Sequence, residues 1–396
     1  PDEPYVEVAG FELDLSTALL CGDGERAGDI TAVAFGPQGE RLELEPLSVV
    51  LRLPEIEEEE EEGVAPTKAP IAFAGHPGRR TLVITHQLTL GGAQLYLMDL
   101  LREQLALGLI DPIVVSTIDG PLRKELEELG VPVHITSLVP PDNLSSYEGK
   151  LDEFLTWVRP LGAEIVFVDT STSTTFVGGE IAEALGVPSV WAIHESFEPA
   201  FLWADIAAPI RVHAETVIGT ATSAVFEADA TRQIYEGLID PARCHTIPYG
   251  LDLRPIDAMR AKFDKDGARR KAGISTDARL VVCVGTVEPR KAQALLAIAF
   301  DLIGARHPDT HLAFVGGRTG ARDTVALEEC IEASPRRGQM EVIPITPNVA
   351  DWYGMADLLV CASDVEARPR TVLEAMAWET PVLATSVFGL PELIED

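Results

Sequence analysis

Two glutamates stand on either side of a proline in the segment EARPRTVLEAMA, near the end of the chain. They are Glu366 and Glu374, with seven residues between them. Pro369 suits the first position of a helix, which leaves the amides of Arg370, Thr371 and the residue after them free to meet an anion. We expect Glu366 to hold hydroxyls of a polar ligand near its reacting end and Glu374 to hold hydroxyls farther along, with a phosphate between them. A capping charge and a solvated surface carboxylate would explain the same pattern.

A second segment, VGTVEPRKAQ, brings two cations to the end of an apolar strand. The strand ends at Gly285 and Pro289 turns the chain. Arg290 and Lys291 then open the next predicted helix, where positive charge is unfavourable against the helix dipole. An anion bound between the two cations would remove that conflict, so the segment favours a phosphate site.

Two further strand ends carry residues that suit a polar ligand. The pair Gly91 and Gly92 follows the strand TLVIT, and glycines at a helix start let a backbone approach an anion. A flexible loop is an equally good interpretation of that pair. His194 ends the strand in SVWAIHES and can donate to a sugar hydroxyl, with Glu195 setting its tautomer. A lone histidine is more often structural.

Charge, cysteines and missing motifs exclude several classes of protein. The 31 basic residues against 63 acidic ones give a formal charge of -32, which repels polyanions, so we expect no nucleic-acid partner. Neither a G-x-G-x-x-G fingerprint nor a P-loop occurs.

The five scattered cysteines show no C-x-x-C pair and fit a reducing compartment. Without a signal peptide or a membrane-length apolar run, we expect a cytoplasmic protein with at most peripheral contact at the inner membrane face.

The order of strands and helices predicts an α/β protein with two tandem Rossmann-like, doubly wound domains. We place the first at residues 79–248 and the second at 249–396. Short alternating strands predict a small β-rich accessory domain at 1–55, and the acidic run after it predicts a linker at 56–78. An acidic docking tail is the alternative for that run. The paired domains leave a cleft between their strand ends, where α/β proteins usually bind ligands.

The two ends of the chain suggest a piece of a longer protein. The first residue is Pro1, and the last residues, GLPELIED, follow a strand and turn that they do not close. We therefore expect further domains in a longer parent chain and a second Rossmann domain that is incomplete at its C-terminal end.

The segment YGMADLLVCASDVEARPRTVLEAMAWETPVLATSVFGLPELIED resembles retaining glycosyltransferases of family 4, the bacterial group 1 enzymes with the GT-B fold. The similarity runs from about Thr81 to Asp396. It implies a nucleotide sugar donor, of the UDP, GDP or ADP type, in the second Rossmann domain and an acceptor mainly on the first.

The resemblance also implies a role for each candidate residue. His194 and Glu366 match the family residues near the transferred sugar. Glu374 matches the family glutamate that binds the ribose of the nucleotide. Residues matching the donor diphosphate site are Gly91, Gly92, Arg290 and Lys291, with the helix start at Arg370 and Thr371. Where much of the family has Phe-Gly, this chain has Arg368 and Pro369, and Thr286 stands where many members carry an arginine that Arg290 would replace.

The resulting hypothesis is a retaining hexosyltransferase of polysaccharide biosynthesis that needs no metal or other cofactor. It would move a hexose to a glycan, lipid-linked or other hydroxyl acceptor by same-face attack, while the cations and helix amides stabilise the departing phosphate. Three alternatives stay open. One is a metal-dependent GT-A transferase using the Asp-Lys-Asp run at Asp264–Asp266. The others are a GT-B nucleotide-sugar epimerase and a non-catalytic module that binds glycans or proteins.

Overall fold

The computed structural model describes residues 10–15, 26–35, 41–43, 47–51, 71–137, 143–204 and 206–394. The chain divides into two compact units, residues 1–61 and 62–396. The acidic run of the predicted linker lies outside the described residues. The boundaries given to the linker and to the accessory domain stay predictions.

The described strands of the first unit form an antiparallel sheet. Its strands are β1 (Gly10–Leu15), β2 (Arg26–Phe35), β3 (Arg41–Glu43) and β4 (Leu47–Leu51). The long strand β2 pairs with the other three. Short strands were expected here from the alternating pattern.

The first Rossmann-like domain is built on a parallel sheet of seven strands within the described residues, in the order β11-β10-β9-β8-β5-β6-β7. Leu82, Val83 and Ile84 of the central strand are fully buried, because helices cover both faces of the sheet. The strands are β5 (Arg79–Gln87), β6 (Ile110–Ile118), β7 (Val133–Ile135), β8 (Ile165–Asp169), β9 (Ser189–Ile193), β10 (Ser223–Phe226) and β11 (Cys244–Thr246). The helices are α1 (Gly92–Ala106), α2 (Leu122–Glu128), α3 (Leu144–Val158), α4 (Val177–Leu185), α5 (Pro199–Leu202), α6 (Ala208–Ile218) and α7 (Asp229–Ile234).

The second Rossmann-like domain has five parallel strands among the residues described, in the order β14-β13-β12-β15-β16. One part of its core lies under α12 and α13, where Tyr353 and Val372 are buried with Leu280 and Leu359 of the sheet. The strands are β12 (Arg279–Val284), β13 (Thr310–Gly317), β14 (Met340–Pro344), β15 (Leu358–Cys361) and β16 (Val382–Ala384). The helices are α8 (Leu253–Arg260), α9 (Lys265–Lys271), α10 (Gln293–Gly304), α11 (Arg322–Ala333), α12 (Val349–Met355), α13 (Arg370–Ala377) and α14 (Leu390–Leu393).

Hydrogen bonds join the two Rossmann domains beside their cleft. The carboxylate of Glu392 on α14 accepts from the amides of Asp229 and Ala230 at the start of α7, at 2.9 and 2.8 Å. Arg368 Nε donates to the carbonyl of Tyr249 at 2.9 Å, and the Tyr249 hydroxyl donates back to the Arg368 carbonyl at 3.2 Å. The carboxyl ends of the strands of both sheets therefore face one cleft, and the predicted pair of Rossmann-like domains is confirmed.

Candidate active site

One cavity between the two Rossmann domains, of about 610 Å³, gathers all the candidate residues from the sequence. The first domain lines it with Gly91, Gly92 and His194, and the second with Arg290, Lys291, Glu366, Arg370, Thr371 and Glu374. These residues follow different strands of two different sheets. Only the facing arrangement of the sheets brings them together.

Two helices point their amino-terminal ends into this cavity from opposite walls. In the described structure, neither α1 nor α13 has a side chain that caps its first turn. Helix α1 begins at Gly92, and a Cβ at Gly91 would collide with the side-chain oxygen of Gln94, which is the movable end of a flexible side chain. Since each helix start carries about half a positive charge and free amides, the pair could bind an anion shared between the domains.

The start of α13 differs from the prediction by one residue. Pro369 is the residue before the helix, with extended backbone angles, and α13 begins at Arg370. The amide of Val372 donates to the Pro369 carbonyl at 3.1 Å, so it is not free for a ligand. The amides of Arg370 and Thr371 remain the ones that can meet an anion.

Lys291 and Glu366 form a buried ion pair on the wall of the second domain. Lys291 Nζ donates to Glu366 Oε1, which also accepts from Ser363 Oγ at 2.9 Å. The side chains of Lys291 and Glu366 are 15% and 8% exposed, so the pair is largely shielded from water. Among the described residues, the contacts to Glu366 fall on Oε1, which leaves Oε2 for a ligand hydroxyl.

The two cations do not open an α-helix, as the sequence had suggested. Pro289–Lys291 forms a short 3-10 turn, and α10 starts only at Gln293. Arg290 is held by its own loop, since its Nε donates to Glu288 Oε2 at 2.9 Å. The turn places the Lys291 side chain closer to Glu366 Oε1 than the Arg290 side chain is. Arg290 Nη1 lies 3.6 Å from that oxygen.

Glu374 belongs to a chain of contacts that runs from one domain to the other. Its carboxylate accepts from the Tyr353 hydroxyl at 2.7 Å and from Arg370 Nε at 2.8 Å. The other side of the Arg370 guanidinium donates to Asp99 on α1, with Nη1 to Oδ2 at 2.6 Å. The prediction that Arg370 serves the phosphate therefore rests on its backbone amide, because its side chain is engaged elsewhere.

His194 is clamped between two carboxylates at the end of β9. Its Nδ1 lies 2.6 Å from Glu227 Oε1 and its Nε2 lies 3.2 Å from Asp169 Oδ1. Burial opposes the charged form, but the attraction and hydrogen bonds of Glu227 and Asp169 outweigh it and raise the pKa of His194 well above 6.5. This shift favours the imidazolium form of the ring, in which both nitrogens donate to the two carboxylates.

The prediction that Glu195 sets the tautomer of His194 is wrong. The Glu195 carboxylate accepts from the backbone amide of His194 at 3.2 Å and from the amide and hydroxyl of Ser171 at 2.9 and 3.0 Å. It therefore fixes the backbone at two strand ends. Asp169 and Glu227 are the residues that act on the ring.

A neutral histidine lies beside this charged cluster. Burial lowers the pKa of His86, whose Nε2 accepts from Gln94 at 3.1 Å while Nδ1 donates to the Thr170 hydroxyl at 3.1 Å. Thr170 has φ of 76°, a left-handed conformation that costs a β-branched residue about 1 to 3 kcal/mol. Such strain is common next to functional sites.

Sequence reasoning missed Asp169 and Glu227 as parts of the site. Asp169 is the last residue of β8 and Glu227 follows the last residue of β10. Each is an acidic residue directly at the carboxyl end of an apolar strand, which is the signal that could have identified them.

Three observations bear on a metal site and on membrane insertion. Within the described ranges, no cluster of three histidine, cysteine or acidic residues is arranged to hold a metal ion. The Asp-Lys-Asp run does not follow a strand, since Asp264 caps α9 by accepting from the Gly267 amide at 2.9 Å. Among the helices described, we find none with the length and apolar character to span a bilayer.

Residues 264–396 match the family model for glycosyl transferases group 1. The chain is also 29% identical over 333 residues to D-inositol 3-phosphate glycosyltransferase 2 of Catenulispora acidiphila, covering 77% of this chain and 76% of that protein. It is 28% identical to D-inositol 3-phosphate glycosyltransferase of Streptomyces griseus, covering 77% of this chain and 72% of that protein. These findings support a group 1 glycosyltransferase.

The fold of this chain is similar to that of solved GT-B structures. HepE of Anabaena, in complex with UDP-glucose, superposes with a TM-score of 0.66 at 18% identity, over 80% of this chain and 83% of HepE. The GT-A alternative is therefore wrong, because its fold differs. The comparisons do not favour the epimerase or the non-catalytic module.

Proposed function

We propose that this glycosyltransferase is a retaining enzyme that transfers a hexose from a nucleoside diphosphate sugar to a hydroxyl acceptor without a metal ion. The observation that carries the proposal is one interdomain cavity in which all the candidate residues meet two uncapped helix starts. An acidic protein needs a local source of positive charge to bind a diphosphate. The helix starts of α1 and α13 and the Lys291 side chain supply it there.

The positions of the side chains suggest an orientation for the donor. The diphosphate lies between the amides of Gly92 and Arg370, next to Lys291. The hexose lies toward Glu366, whose free oxygen can accept from sugar hydroxyls. The ribose lies toward Glu374, which is held in place by Tyr353.

Two names among the similar proteins support the choice of substrates. HepE was crystallised with UDP-glucose and with UDP, and we propose a UDP sugar as the first donor to test, ahead of GDP and ADP sugars. The relatives named for D-inositol 3-phosphate support a hydroxyl acceptor. A glycan or lipid-linked acceptor also presents such a hydroxyl, in line with a role in polysaccharide biosynthesis.

In the proposed reaction, the bond between the anomeric carbon and the β-phosphate oxygen breaks, and its electron pair stays on the phosphate. The acceptor oxygen bonds to the anomeric carbon from the same face, and its proton passes to the departing phosphate. The helix amides and Lys291 stabilise the phosphate as its charge develops. The hexose becomes cationic at its anomeric carbon in the transition state, and Glu366 stabilises that charge.

Calorimetry tests the donor site and product analysis tests the stereochemistry. UDP, GDP and ADP are titrated into the protein without metal and with a chelator, and we expect at least one to bind. The product formed from an α-linked donor is then examined by NMR, where an α-linkage is expected. Titrations that give no heat with any of the three nucleotides contradict the donor site. A β-linkage in the product contradicts retention. Transfer that stops when the chelator is added contradicts metal independence.

A further inference from the structure

Glu227 stands at the carboxyl end of the first domain's sheet, next to His194. Phe226 and Ile193 pair in register on the adjacent parallel strands β10 and β9, so the residues that follow them emerge side by side. His194 Nδ1 donates to Glu227 Oε1 at 2.6 Å. The sheet thus fixes Glu227 on the wall opposite to Glu366.

The second oxygen of Glu227 has no role in the described structure. Glu227 is 7% exposed and lines the cavity. Within the described residues, His194 is the one hydrogen-bond donor to its carboxylate, and it uses Oε1. A carboxylate can accept about four hydrogen bonds, and this oxygen is on a residue that lines the cavity. The free oxygen therefore suits a donor that arrives with a ligand.

The neighbouring carboxylates accept more hydrogen bonds from the protein than Glu227 does. Asp169 accepts from His194 at Oδ1 and from the Thr85 hydroxyl at Oδ2, at 3.2 and 2.9 Å. Glu195 accepts at Oε2 from Ser171 and from the His194 amide. Of the two carboxylates that contact the His194 ring, Glu227 is thus the one that keeps an oxygen without a donor among the described residues.

The charge of the wall determines the chemistry of the group that it can bind. Asp169, Glu195 and Glu227 together outnumber the single positive charge of His194, so phosphate or carboxylate groups are repelled there. A neutral hydroxyl can donate to Glu227 without that penalty. On the proposed function, the donor sugar contacts Glu366 across the cavity, which leaves the side of Glu227 to the acceptor.

We infer that Glu227 binds a non-reacting hydroxyl of a neutral polyol portion of the acceptor, and so orients the neighbouring hydroxyl that attacks the sugar. The inference rests on the proposed function. It assigns a hydrogen bond and no chemical step to Glu227, so the proton still leaves with the phosphate. The acceptor then needs two adjacent hydroxyls, of which one reacts.

Calorimetry of polyols against the UDP-loaded protein tests the inference. The probes are myo-inositol, D-glucose and glycerol, titrated into wild type, Glu227→Gln and Glu227→Asp. Glu227→Gln still presents its carbonyl oxygen to His194, but it replaces the open oxygen by an amide nitrogen. Glu227→Asp keeps the charge beside His194 and withdraws it from the cavity. Glu183→Gln, an exposed position on α4, is the matched control.

We expect myo-inositol or glucose to bind the UDP-loaded wild type and to bind both Glu227 variants at least tenfold more weakly, as loss of a charge-assisted hydrogen bond predicts. The control keeps the wild-type affinity. Polyol binding unchanged within twofold in both variants means that Glu227 only positions His194, and it overturns the inference. Wild type that binds UDP and none of the three polyols overturns the acceptor class while the donor site stands. Wild type that binds no nucleotide contradicts the proposed function itself.

Discussion

Arg370 Nη1 lies 2.6 Å from Asp99 Oδ2, so the helix that carries Glu374 is tied to α1 of the other Rossmann domain. Arg370 also holds Glu374 through its Nε at 2.8 Å. The side chain of Asp99 is 45% exposed whereas that of Arg370 is 18% exposed. The guanidinium therefore has one contact that water screens and one on the wall of the cavity.

This difference predicts separate effects for the two partners. Asp99→Asn removes the screened contact, which is worth no more than about 1 kcal/mol, and UDP affinity should change less than threefold. Arg370→Ala releases Glu374 and removes positive charge beside the helix start, so UDP should bind at least tenfold more weakly. Calorimetry with UDP measures both. Equal losses in the two variants would show that UDP affinity depends on the interdomain contact and not on the orientation of Glu374.

Lys291 should matter for the phosphates of the nucleotide and not for its nucleoside. In Lys291→Ala we expect UDP to bind about 100-fold more weakly and uridine to bind as it does to wild type. Lys124→Ala, an exposed lysine on α2, is the control for loss of a positive charge. Titrations of UDP and uridine give the comparison. Equal weakening of both ligands would place Lys291 away from the diphosphate.

Lys291→Ala also leaves the carboxylate of Glu366 buried without its main partner. Removal of one member of a buried pair is destabilising because the other charge stays uncompensated. Arg290, 3.6 Å from the same oxygen, offsets part of that cost. We therefore expect a lower melting temperature in Lys291→Ala and a partial recovery in the double variant Lys291→Ala with Glu366→Gln, measured by thermal unfolding.

The parts of this site that the sequence predicts are those that depend on local order along the chain. Gly92, Lys291 and Glu366 each follow an apolar strand, and the carboxyl end of a strand is where α/β proteins place ligands. The continuous apolar runs that become β5 and β12 identify those strands directly. Local patterns were therefore enough to identify the candidate residues and the fold class.

The partners of these residues depend on strand order and on the contact between domains, which local patterns do not contain. His194 meets Asp169 and Glu227 because β8, β9 and β10 are adjacent, although the partners are 25 and 33 positions away. The Arg370 side chain contacts Asp99, which is 271 positions away. The prediction for Glu195 was wrong for the same reason, since sequence adjacency does not give the direction of a side chain.

The charge on His194 predicts how stability depends on pH. Burial, the largest effect, lowers the pKa of His194. The charges and hydrogen bonds of Glu227 and Asp169 together outweigh burial, so folding raises this pKa. The folded state therefore binds a proton that the unfolded state releases above about pH 6.5. This contribution is complete below that pH and is lost as the pH rises toward the folded pKa, by up to about 1.4 kcal/mol per pH unit.

Urea unfolding of wild type and His194→Gln between pH 6 and 9 measures this contribution. The stability difference between the two should be largest near pH 6 and should shrink above it. The charged and titratable groups around the ring are Asp169, Glu227, Glu195, His86 and Tyr96, and they are the same in both proteins. A difference that stays constant across this range would mean that folding does not shift the pKa of His194.

Gly389 controls the position of the loop that carries Glu366. Its amide donates to the Glu366 carbonyl at 3.1 Å. A Cβ at this position would collide with the Ala367 carbonyl oxygen and lie 2.6 Å from Ala228 Cβ in the other domain. Neither neighbour is a flexible side-chain end, so a larger residue must displace the backbone.

Gly389→Ala should therefore cost about 1 to 3 kcal/mol of stability and weaken UDP binding together, because the same backbone shift moves Glu366. Gly149→Ala is the matched control, since that glycine lies within α3 with open space around its Cβ position. There alanine should stabilise the protein by about 0.5 to 1 kcal/mol and leave UDP affinity unchanged. Denaturant unfolding and calorimetry give both quantities for each variant. A Gly389→Ala protein that loses stability but binds UDP like wild type would show that the loop reaches its binding position without this contact.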